Sequence, residues 1–271
     1  MKLFRRRSIK GFVRSRWLRS RLERPPVTIR QKVGESEIAF SVHTWVEYHN
    51  RAMLSYTGEP DMVDWLKNSV RKGDVLWDVG ANVGAYSLLA AKLDPAISVF
   101  AFEPYIPTFS HLWENVTLNG LESQIVPLCM ALSDKSAVQM LGVSDPRAGS
   151  SEHVLGGRGF KTYQFSSGLT GDAVISHLGV AAPTLIKIDV DGYEVAVLKG
   201  MTGLLKGINL RSCIIEVERG KTEAKVDVLM RSAKFDRQSD SSAISGGPVF
   251  NVVYVRPSRN TRKLMRTSPT R

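Results

Sequence analysis

Hydrophobic positions along the chain follow two different periods. Between residues 27 and 43, apolar and polar residues alternate in VTIRQKV and EIAFSVH around a Gly-Glu-Ser turn, which predicts a β-hairpin. From Asp74 onward, short apolar runs alternate with segments in which apolar residues recur every three or four positions. The short runs predict strands with the sequences VLWDV, SVFAFE, IVPLCM, LIKIDV, RSCIIEV and VFNVVYVR.

Helices are predicted before and between these strands. They cover residues 60–70, with Pro60 near the first position, the segment AYSLLAAKL, residues 107–119 ahead of Gly120, the segment before Gly200, and residues near 222–233. Strand–helix alternation of this kind implies a mostly parallel central sheet with helices on both faces. We therefore predict a Rossmann-like α/β fold, preceded by an N-terminal β-hairpin and helix extension.

Composition and pattern divide the chain into four segments. These are a basic N-terminal arm (1–26), the hairpin and helix extension (27–73), the α/β domain (74–256) and a basic C-terminal tail (257–271). Residues 144–171 are rich in Gly and Ser and lack periodicity, so we expect a functional or disordered loop there. Residues 236–247 form a second polar stretch.

The positive charge is concentrated at the two ends. The net charge is +11, but residues 1–24 contribute +9 and residues 256–271 contribute +6, which leaves −4 between them. The high pI therefore does not indicate a nucleic-acid-binding active site. The arm is open to several interpretations: a disordered segment, a helix on an anionic membrane surface, a nucleic-acid contact or an organelle-targeting sequence.

Three features of the sequence bear on the cellular compartment of the protein. Apolar residues make up 43% of the chain, enough for a large core, but no run approaches the roughly 18–20 apolar residues of a membrane span. No apolar segment follows the first basic residues as it would in a signal peptide. Cys129 and Cys213 lie in apolar runs, so we expect two reduced core thiols. These features favour a cytoplasmic protein, with the arm as a candidate peripheral membrane contact.

The first strand–helix turn carries the candidate ligand site. It reads DVGANVGAYS, with Asp78 at the end of an apolar strand and Gly80 and Gly84 bracketing the turn. Glycine permits unusual backbone angles and lets a ligand approach the main chain. The next strand ends in Glu103, where an acid accepts hydrogen bonds from both ribose hydroxyls.

These residues favour S-adenosylmethionine (SAM) over a nicotinamide dinucleotide. The dinucleotide fingerprint G-x-G-x-x-G admits a pyrophosphate, whereas the spacing here is Gly-Ala-Asn-Val-Gly after a strand that ends in a carboxylate. That carboxylate would repel a pyrophosphate but suits the ammonium group of SAM. A glycine pair alone could also form a plain tight turn, but the acids at Asp78 and Glu103 argue against that alternative.

The ordered motifs resemble the FkbM-type methyltransferases. They are DVGANVGAYSLLAAKL, FAFEPYIPTFSHLWENVTLNG, ALSD, LIKIDVDGYEVAVLKG and IIEV, within residues 75–218. The resemblance implies a class I methyltransferase fold, SAM as methyl donor, and transfer to a hydroxyl oxygen, with polyketide and sugar hydroxyls among the family's acceptors. By position, the resemblance implies that the methionine part of SAM contacts Asp78, Gly80, Asn82 and Gly84. It implies that the ribose contacts Glu103, and that the adenine contacts Ser133 and Asp134.

The segment LIKIDVDGYE carries the candidate catalytic residues. Alternation along a strand puts Lys187, Asp189 and Asp191 on one side, with Asp189 near the carboxyl edge. Methyl transfer requires the acceptor oxygen about 3 Å from the methyl carbon, in line with the departing sulfur. A base accelerates attack by a neutral alcohol about 10²–10⁴-fold. We predict that Asp189 is this base or orients the hydroxyl, with Asp191 and Glu194 as further catalytic candidates.

Structural alternatives exist for these acids. Asp191 and Glu194 form a D-x-x-E capping box that could simply start the next helix, and most FkbM relatives carry Glu at the position of Asp191. Asp189, Asp191 and Glu216 could hold Mg²⁺, but nothing in their spacing requires it, so we expect no metal there. Glu216 could line the acceptor pocket. His153, in the irregular region, is either a lid or base residue or simply exposed to solvent.

The leading hypothesis is a SAM-dependent methyltransferase that acts on a hydroxyl of a small molecule, sugar or glycan. Two alternatives stay open: an RNA ribose methyltransferase, because of the basic tails, and a non-catalytic SAM-binding or membrane-associated module. Enzymes that methylate base amines tend to carry a D/N-P-P-Y-like tetrad after the fourth core strand. This chain has Asp-Val-Asp-Gly there, which argues against amine chemistry.

Overall fold

The computed structural model describes residues 26–240 and 247–257, so residues 1–25 of the basic arm, residues 241–246 and residues 258–271 of the tail lie outside the described residues. Strands β1 (Val27–Val33) and β2 (Ser36–Val42) pair antiparallel, which confirms the predicted hairpin. A π-helix (Glu47–Met53) and a short helix α1 (Ser55–Gly58), neither predicted, follow the hairpin and precede the predicted helix α2 (Pro60–Ser69).

The central sheet has seven strands. In spatial order they are β12 (Asp236–Asp240), β13 (Val249–Val255), β11 (Ser212–Glu218), β10 (Leu185–Ile188), β3 (Val75–Val79), β4 (Ser98–Phe102) and β5 (Ile125–Leu128). The five strands from β11 to β5 are parallel, and β13 and β12 run antiparallel at one edge. The predicted mostly parallel sheet is confirmed.

Helices cover both faces of this sheet. They are α3 (Ala85–Leu93), α4 (Ile106–Leu118), α5 (Gly171–Leu178), α6 (Glu194–Lys199), α7 (Thr202–Lys206) and α8 (Glu223–Ser232). Neighbouring residues of β3 point to opposite faces, so Leu76 and Trp77 belong to two separate hydrophobic clusters. Ile38 and Phe40 of the hairpin share the cluster of Leu76, so the extension and the α/β domain have a common core.

A second, smaller sheet corrects the expectation for residues 144–171. It contains β6 (Ala131–Leu132), β9 (Thr162–Leu169), β7 (Ala137–Val143) and β8 (Val154–Leu155), in that spatial order. The expected loop therefore includes a full strand, β9, which pairs antiparallel with β7. Hydrophobic periodicity missed β9 because small residues, Ser166 and Gly168, take its buried positions. The polar stretch after residue 235 likewise begins with a strand, the exposed edge strand β12.

The two cysteines differ in exposure. Both thiols are free, and Cys213 is buried in β11 as expected. The expectation of a core thiol at Cys129 is wrong, because this residue follows the last residue of β5 and is exposed.

Across residues 26–240 and 247–257, no helix has both the length and the apolar character needed to cross a membrane.

Candidate active site

Close packing explains both glycines of the first strand–helix turn. Gly80 has φ of 77°, and a Cβ there would lie 1.8 Å from the carbonyl oxygen of Asp189. Gly84 has φ of 90°, and a Cβ there would lie 2.5 Å from Cδ1 of Leu112 on α4. Gly80 therefore lets the turn approach the end of β10, whereas Gly84 lets α3 begin against α4.

Glu103 ties the end of β4 to this turn. Its Oε2 accepts a hydrogen bond from the backbone N–H of Asn82 at 3.0 Å, and its Oε1 accepts one from Tyr105 at 2.8 Å. Burial raises the pKa of Glu103 to about 7, although both backbone hydrogen bonds act to lower it. Asn82 itself adopts φ of 50° and donates from Nδ2 to the carbonyl of Ser150 at 2.9 Å.

Asp78 lies behind the turn. Its side chain is fully buried, and Oδ2 accepts a hydrogen bond from Ser87 Oγ at 2.6 Å. Oδ1 lies 3.1 Å from Nζ of Lys187, which in turn donates to the carbonyl of Gly80 at 3.0 Å. The same ammonium lies 3.4 Å from Oδ2 of Asp189. Burial would lower the pKa of Lys187, but the carboxylates of Asp78 and Asp189 outweigh it and raise that pKa.

A pocket of about 220 Å³ lies at the carboxyl ends of the parallel strands. It is lined by Arg51, Glu59, Val79, Gly80, Asn82, Phe102, Glu103, Pro104, Met130, Ala131, Leu132, Leu141, Ser150, Ser151, His153, Leu155, Asp189, Val190, Asp191, Tyr193 and Glu216. Four neighbouring strands contribute to this pocket at their carboxyl ends. Glu103 directly follows β4, Gly80 follows β3 and Asp189 follows β10, while Glu216 lies in β11. The order of strands reverses at β3, the position at which open α/β sheets bind ligands.

One end of the pocket is rich in carboxyl groups, contributed by Glu59, Asp189, Asp191 and Glu216. Burial, followed by the charges of Asp189 and Asp191, raises the pKa of Glu216 to about 10. Loss of solvation and the charge of Asp189 raise the pKa of Asp191 to about 6. At neutral pH, Glu216 is therefore protonated and can donate a hydrogen bond, while Asp191 is mainly ionised.

Glu194 and Asp191 do not form the capping box. Asp191 has φ of 51° and its Oδ2 accepts from the backbone N–H of Glu152 at 2.7 Å, while α6 begins after Tyr193 without a side-chain cap. Glu194 is buried, and its Oε1 accepts from the N–H of Gly192 at 2.8 Å. It lines an adjoining pocket that shares Asp191 and Glu216 with the first.

Sequence comparison establishes the family. A sequence profile of the methyltransferase FkbM domain matches residues 78–237, more than half of the chain. The chain belongs to the FkbM methyltransferase family. The family resemblance, the class I fold and the methyltransferase activity predicted from the sequence are thereby confirmed.

Individual FkbM-related proteins support this assignment. The hexuronic acid methyltransferase AglP of Haloferax volcanii is 33% identical over 181 residues, 67% of this chain and 71% of that protein. The 31-O-demethyl-FK506 methyltransferase FkbM of Streptomyces tacrolimicus is 32% identical over 49% of this chain and 61% of its own length. Among solved structures, a SAM-dependent methyltransferase from Agrobacterium tumefaciens has the same fold, with a TM-score of 0.50 at 12% identity over 87% of this chain and 72% of that one.

Five of the ten residues assigned to SAM binding or catalysis meet at the first pocket: Gly80, Asn82, Glu103, Asp189 and Asp191. Glu216, named as a candidate for the acceptor pocket, lines it as well. The structure does not bring Asp78, Gly84, Ser133 or Asp134 to its lining, and Glu194 reaches only the adjoining pocket.

The two residues predicted to contact the adenine, Ser133 and Asp134, lie outside the pocket lining. Ser133 is buried and its Oγ contacts Gln139 at 3.2 Å and Tyr193 at 3.3 Å, whereas Asp134 is exposed. The preceding residues Met130–Leu132 line the pocket instead.

Sequence reasoning missed the residues that cover the pocket. Arg51 and Glu59 come from the N-terminal extension, and Ser150, Leu141 and Leu155 come from the smaller sheet and its loop. No motif marks them, because they lie on elements with little or no regular periodicity. Arg51 is the one Lys or Arg among the described pocket-lining residues, and its Nε donates to the carbonyl of Gly149 at 2.8 Å.

His153 also lines the pocket and is only half-buried. Its ring lies 4.6 Å from the ring of Tyr105, and its Nε2 lies 3.2 Å from Ser150 Oγ. Burial lowers the pKa of His153, so the imidazole is neutral at pH 7. A neutral imidazole at the pocket wall is a second group that could accept a proton.

Proposed function

We propose that this chain binds SAM in the first pocket and transfers its methyl group to a hydroxyl oxygen of a sugar or a related hydroxylated molecule. The observation that carries the proposal is the placement of Glu103 and Asp189 on the same pocket, at the ends of strands separated only by β3. Because neighbouring strands lie about 4.8 Å apart, the two strand ends are separated by about 10 Å. This span suits a ribose at one carboxyl group and the reacting centre near the other.

The residues present fit the donor. Gly80 lines the pocket with its backbone alone, and each oxygen of Glu103 retains a lone pair to accept a hydrogen bond from a ribose hydroxyl. Met130 and Leu132 offer apolar surface for the adenine, beside Glu103. When bound, SAM supplies an activated methyl group on a sulfonium. Arg51 would pair with the carboxylate at the methionine end of SAM.

The acid-rich end suits a hydroxylated acceptor. Carboxylates accept hydrogen bonds from sugar hydroxyls, and Asp189, Asp191 and Glu59 supply several acceptors within the pocket. Asp189 takes the proton of the attacking hydroxyl or orients it, while Lys187 holds the carboxylate in place. Asp191 orients the acceptor, and Glu194 positions the Asp191–Gly192 turn through its hydrogen bond to Gly192.

The relatives support this acceptor class. AglP is named as a hexuronic acid methyltransferase, and the Streptomyces relative is named for a substrate that lacks a methyl group on an oxygen. The first name gives a sugar acid as the acceptor, and the second gives an O-demethyl compound. Neither describes a nucleic acid.

The test is transfer of a tritiated methyl group from SAM to fractionated extract of the source cell, followed by mild alkali. Methyl ethers survive alkali, whereas methyl esters release labelled methanol. We expect alkali-stable label in a carbohydrate or small-molecule fraction. Label that is released as methanol, or that is recovered in RNA, would contradict transfer to a sugar hydroxyl.

A further inference from the structure

Two histidines and two glutamates meet where the N-terminal extension contacts α4, and none of them lines either pocket. The rings of His43 and His111 stack with centroids 4.1 Å apart and an interplanar angle of 20°. His43 Nε2 lies 2.6 Å from Oε2 of Glu114. His111 and Glu114 are three residues apart on α4, so both side chains project from the same helix face.

We propose that His43, His111 and Glu114 bind a divalent transition-metal ion, with water completing the coordination. One ligand atom from each residue lies within 4.8 Å of those of the other two. Ligands about 2.0–2.1 Å from a tetrahedral Zn²⁺ lie roughly 3.4 Å from one another. The 2.6 Å between His43 Nε2 and Glu114 Oε2 and the upper limit of 4.8 Å bracket this value, so rotation of the side chains would bring the three ligands to it. Two imidazoles and one carboxylate are a ligand set that suits Zn²⁺ and its neighbours in the first transition row.

Glu47 supplies the support that metal-binding histidines require. Its carboxylate bonds to Nδ1 of His111, which leaves Nε2 of that ring as the metal ligand. Glu47 is only 2% exposed, and its Oε2 accepts from the backbone N–H groups of His43 at 3.0 Å and Thr44 at 2.9 Å. A buried, hydrogen-bonded carboxylate behind a histidine fixes the tautomer and the orientation of the ring.

The three ligands are also accessible. The side chains of His43, Glu114 and His111 are 34%, 36% and 18% exposed, so an ion can enter from solvent and keep a bound water. His43 directly follows β2 and the other two ligands lie on α4. A bound ion would therefore link the hairpin to the α/β domain, and it would stabilise the fold because the unfolded chain lacks the assembled site.

The experiment titrates Co²⁺, and then Zn²⁺ in competition, into the full-length, tag-free, metal-stripped protein. We expect one Co²⁺ per chain with visible d–d absorption, displaced by Zn²⁺. We also expect Tm to rise by about 5–10 °C at a Zn²⁺ concentration of 100 times Kd. Absence of saturable binding to the wild-type protein would overturn the proposal.

Variants locate the ion. We expect His43→Ala and Glu114→Ala each to weaken binding at least 10-fold, and Glu47→Gln to weaken it about 10–100-fold. His177→Ala, an exposed histidine on α5, is the matched control and should leave the affinity unchanged. Circular dichroism and the Tm without metal establish that each variant folds. Unchanged affinity in the folded His43→Ala and Glu114→Ala proteins would place the ion elsewhere and refute the site.

Discussion

The carboxyl group of Glu103 accepts a hydrogen bond from the backbone N–H of Asn82 at 3.0 Å. This bond joins the end of β4 to the turn after β3, so the proposed ribose ligand and the proposed methionine-binding turn form one unit. A single substitution at Glu103 should therefore affect both the contacts to the ribose and the conformation of the turn.

Glu103→Gln should weaken SAM binding about 10–100-fold. The amide retains the size of the side chain but loses a charged acceptor, and hydrogen bonds to charged groups contribute about 1.5–3 kcal/mol. Isothermal calorimetry measures the affinity, and Glu122→Gln, an exposed glutamate, is the control. An unchanged Kd in Glu103→Gln would remove Glu103 from the ribose contact.

Gly80→Ala should destabilise the protein more than Gly73→Ala. The two glycines have φ of 77° and 78°, but a Cβ at Gly73 meets nothing within 4 Å, whereas a Cβ at Gly80 meets the backbone of Asp189. Gly73→Ala thus reports the backbone strain alone, about 1–2 kcal/mol. We expect Gly80→Ala to cost about 1–3 kcal/mol more and to abolish SAM binding. Urea denaturation checks the difference, and equal costs would contradict the close approach of the turn to β10.

Arg51→Gln should weaken binding of SAM but leave binding of methylthioadenosine almost unchanged. Methylthioadenosine lacks the amino-acid end of SAM, so it cannot report a contact to the carboxylate. Calorimetry with both ligands separates this contact from a general change of the pocket, and Arg30→Gln on the exposed face of the hairpin is the control. Equal losses for the two ligands would refute a specific Arg51–carboxylate pair.

Asp189→Asn should retain SAM affinity and reduce turnover about 10²–10⁴-fold, the usual contribution of a general base. Label transfer to the acceptor fraction measures turnover, and calorimetry measures SAM affinity in the same preparation. Asp134→Asn, at an exposed position outside the pocket, should remain active. Full activity of Asp189→Asn would show that Asp189 is not the base, and His153 in the same pocket would then be the next candidate.

Glu216→Gln should stabilise the protein at alkaline pH. The pKa of Glu216 is raised from 4.5 to about 10, so the folded state holds a proton that the unfolded state releases. Stability from this group is therefore complete below about pH 4.5 and is lost as the pH rises toward 10. Between pH 5 and pH 9 we expect the wild type to lose on the order of 5 kcal/mol more than Glu216→Gln. Urea denaturation gives the free energy of unfolding of both proteins at each pH. If this free energy changed equally with pH in the wild type and in Glu216→Gln, the buried, protonated state of Glu216 would be contradicted.

The sequence was sufficient for the parts of the site that lie on regular strands. Glu103 and Asp189 follow continuous apolar runs, so their place at the carboxyl edge follows from strand direction alone. The glycine-bracketed turn could be located for the same reason. The pattern could not show how deeply each side chain is buried. Asp78 lies at the same edge of the sheet, but its side chain is fully buried against Lys187 and Ser87 and does not line the pocket.

The walls of the pocket were not predictable in the same way. Arg51 belongs to a π-helix, whose period differs from that of an α-helix, and Ser150 lies in a loop. β9 places Ser166 and Gly168 inward, so hydrophobic alternation does not reveal it. These elements contact the pocket through tertiary packing, which leaves no local signal in the chain.

A crystal structure of the protein with S-adenosylhomocysteine would show directly whether the donor binds beside Glu103. We expect both ribose hydroxyl oxygens to lie about 3 Å from the carboxylate of Glu103, with the sulfur on the side of the ribose that faces the carboxylate of Asp189. A nucleoside bound at the acid-rich end beside Glu216, or bound outside this pocket, would contradict it.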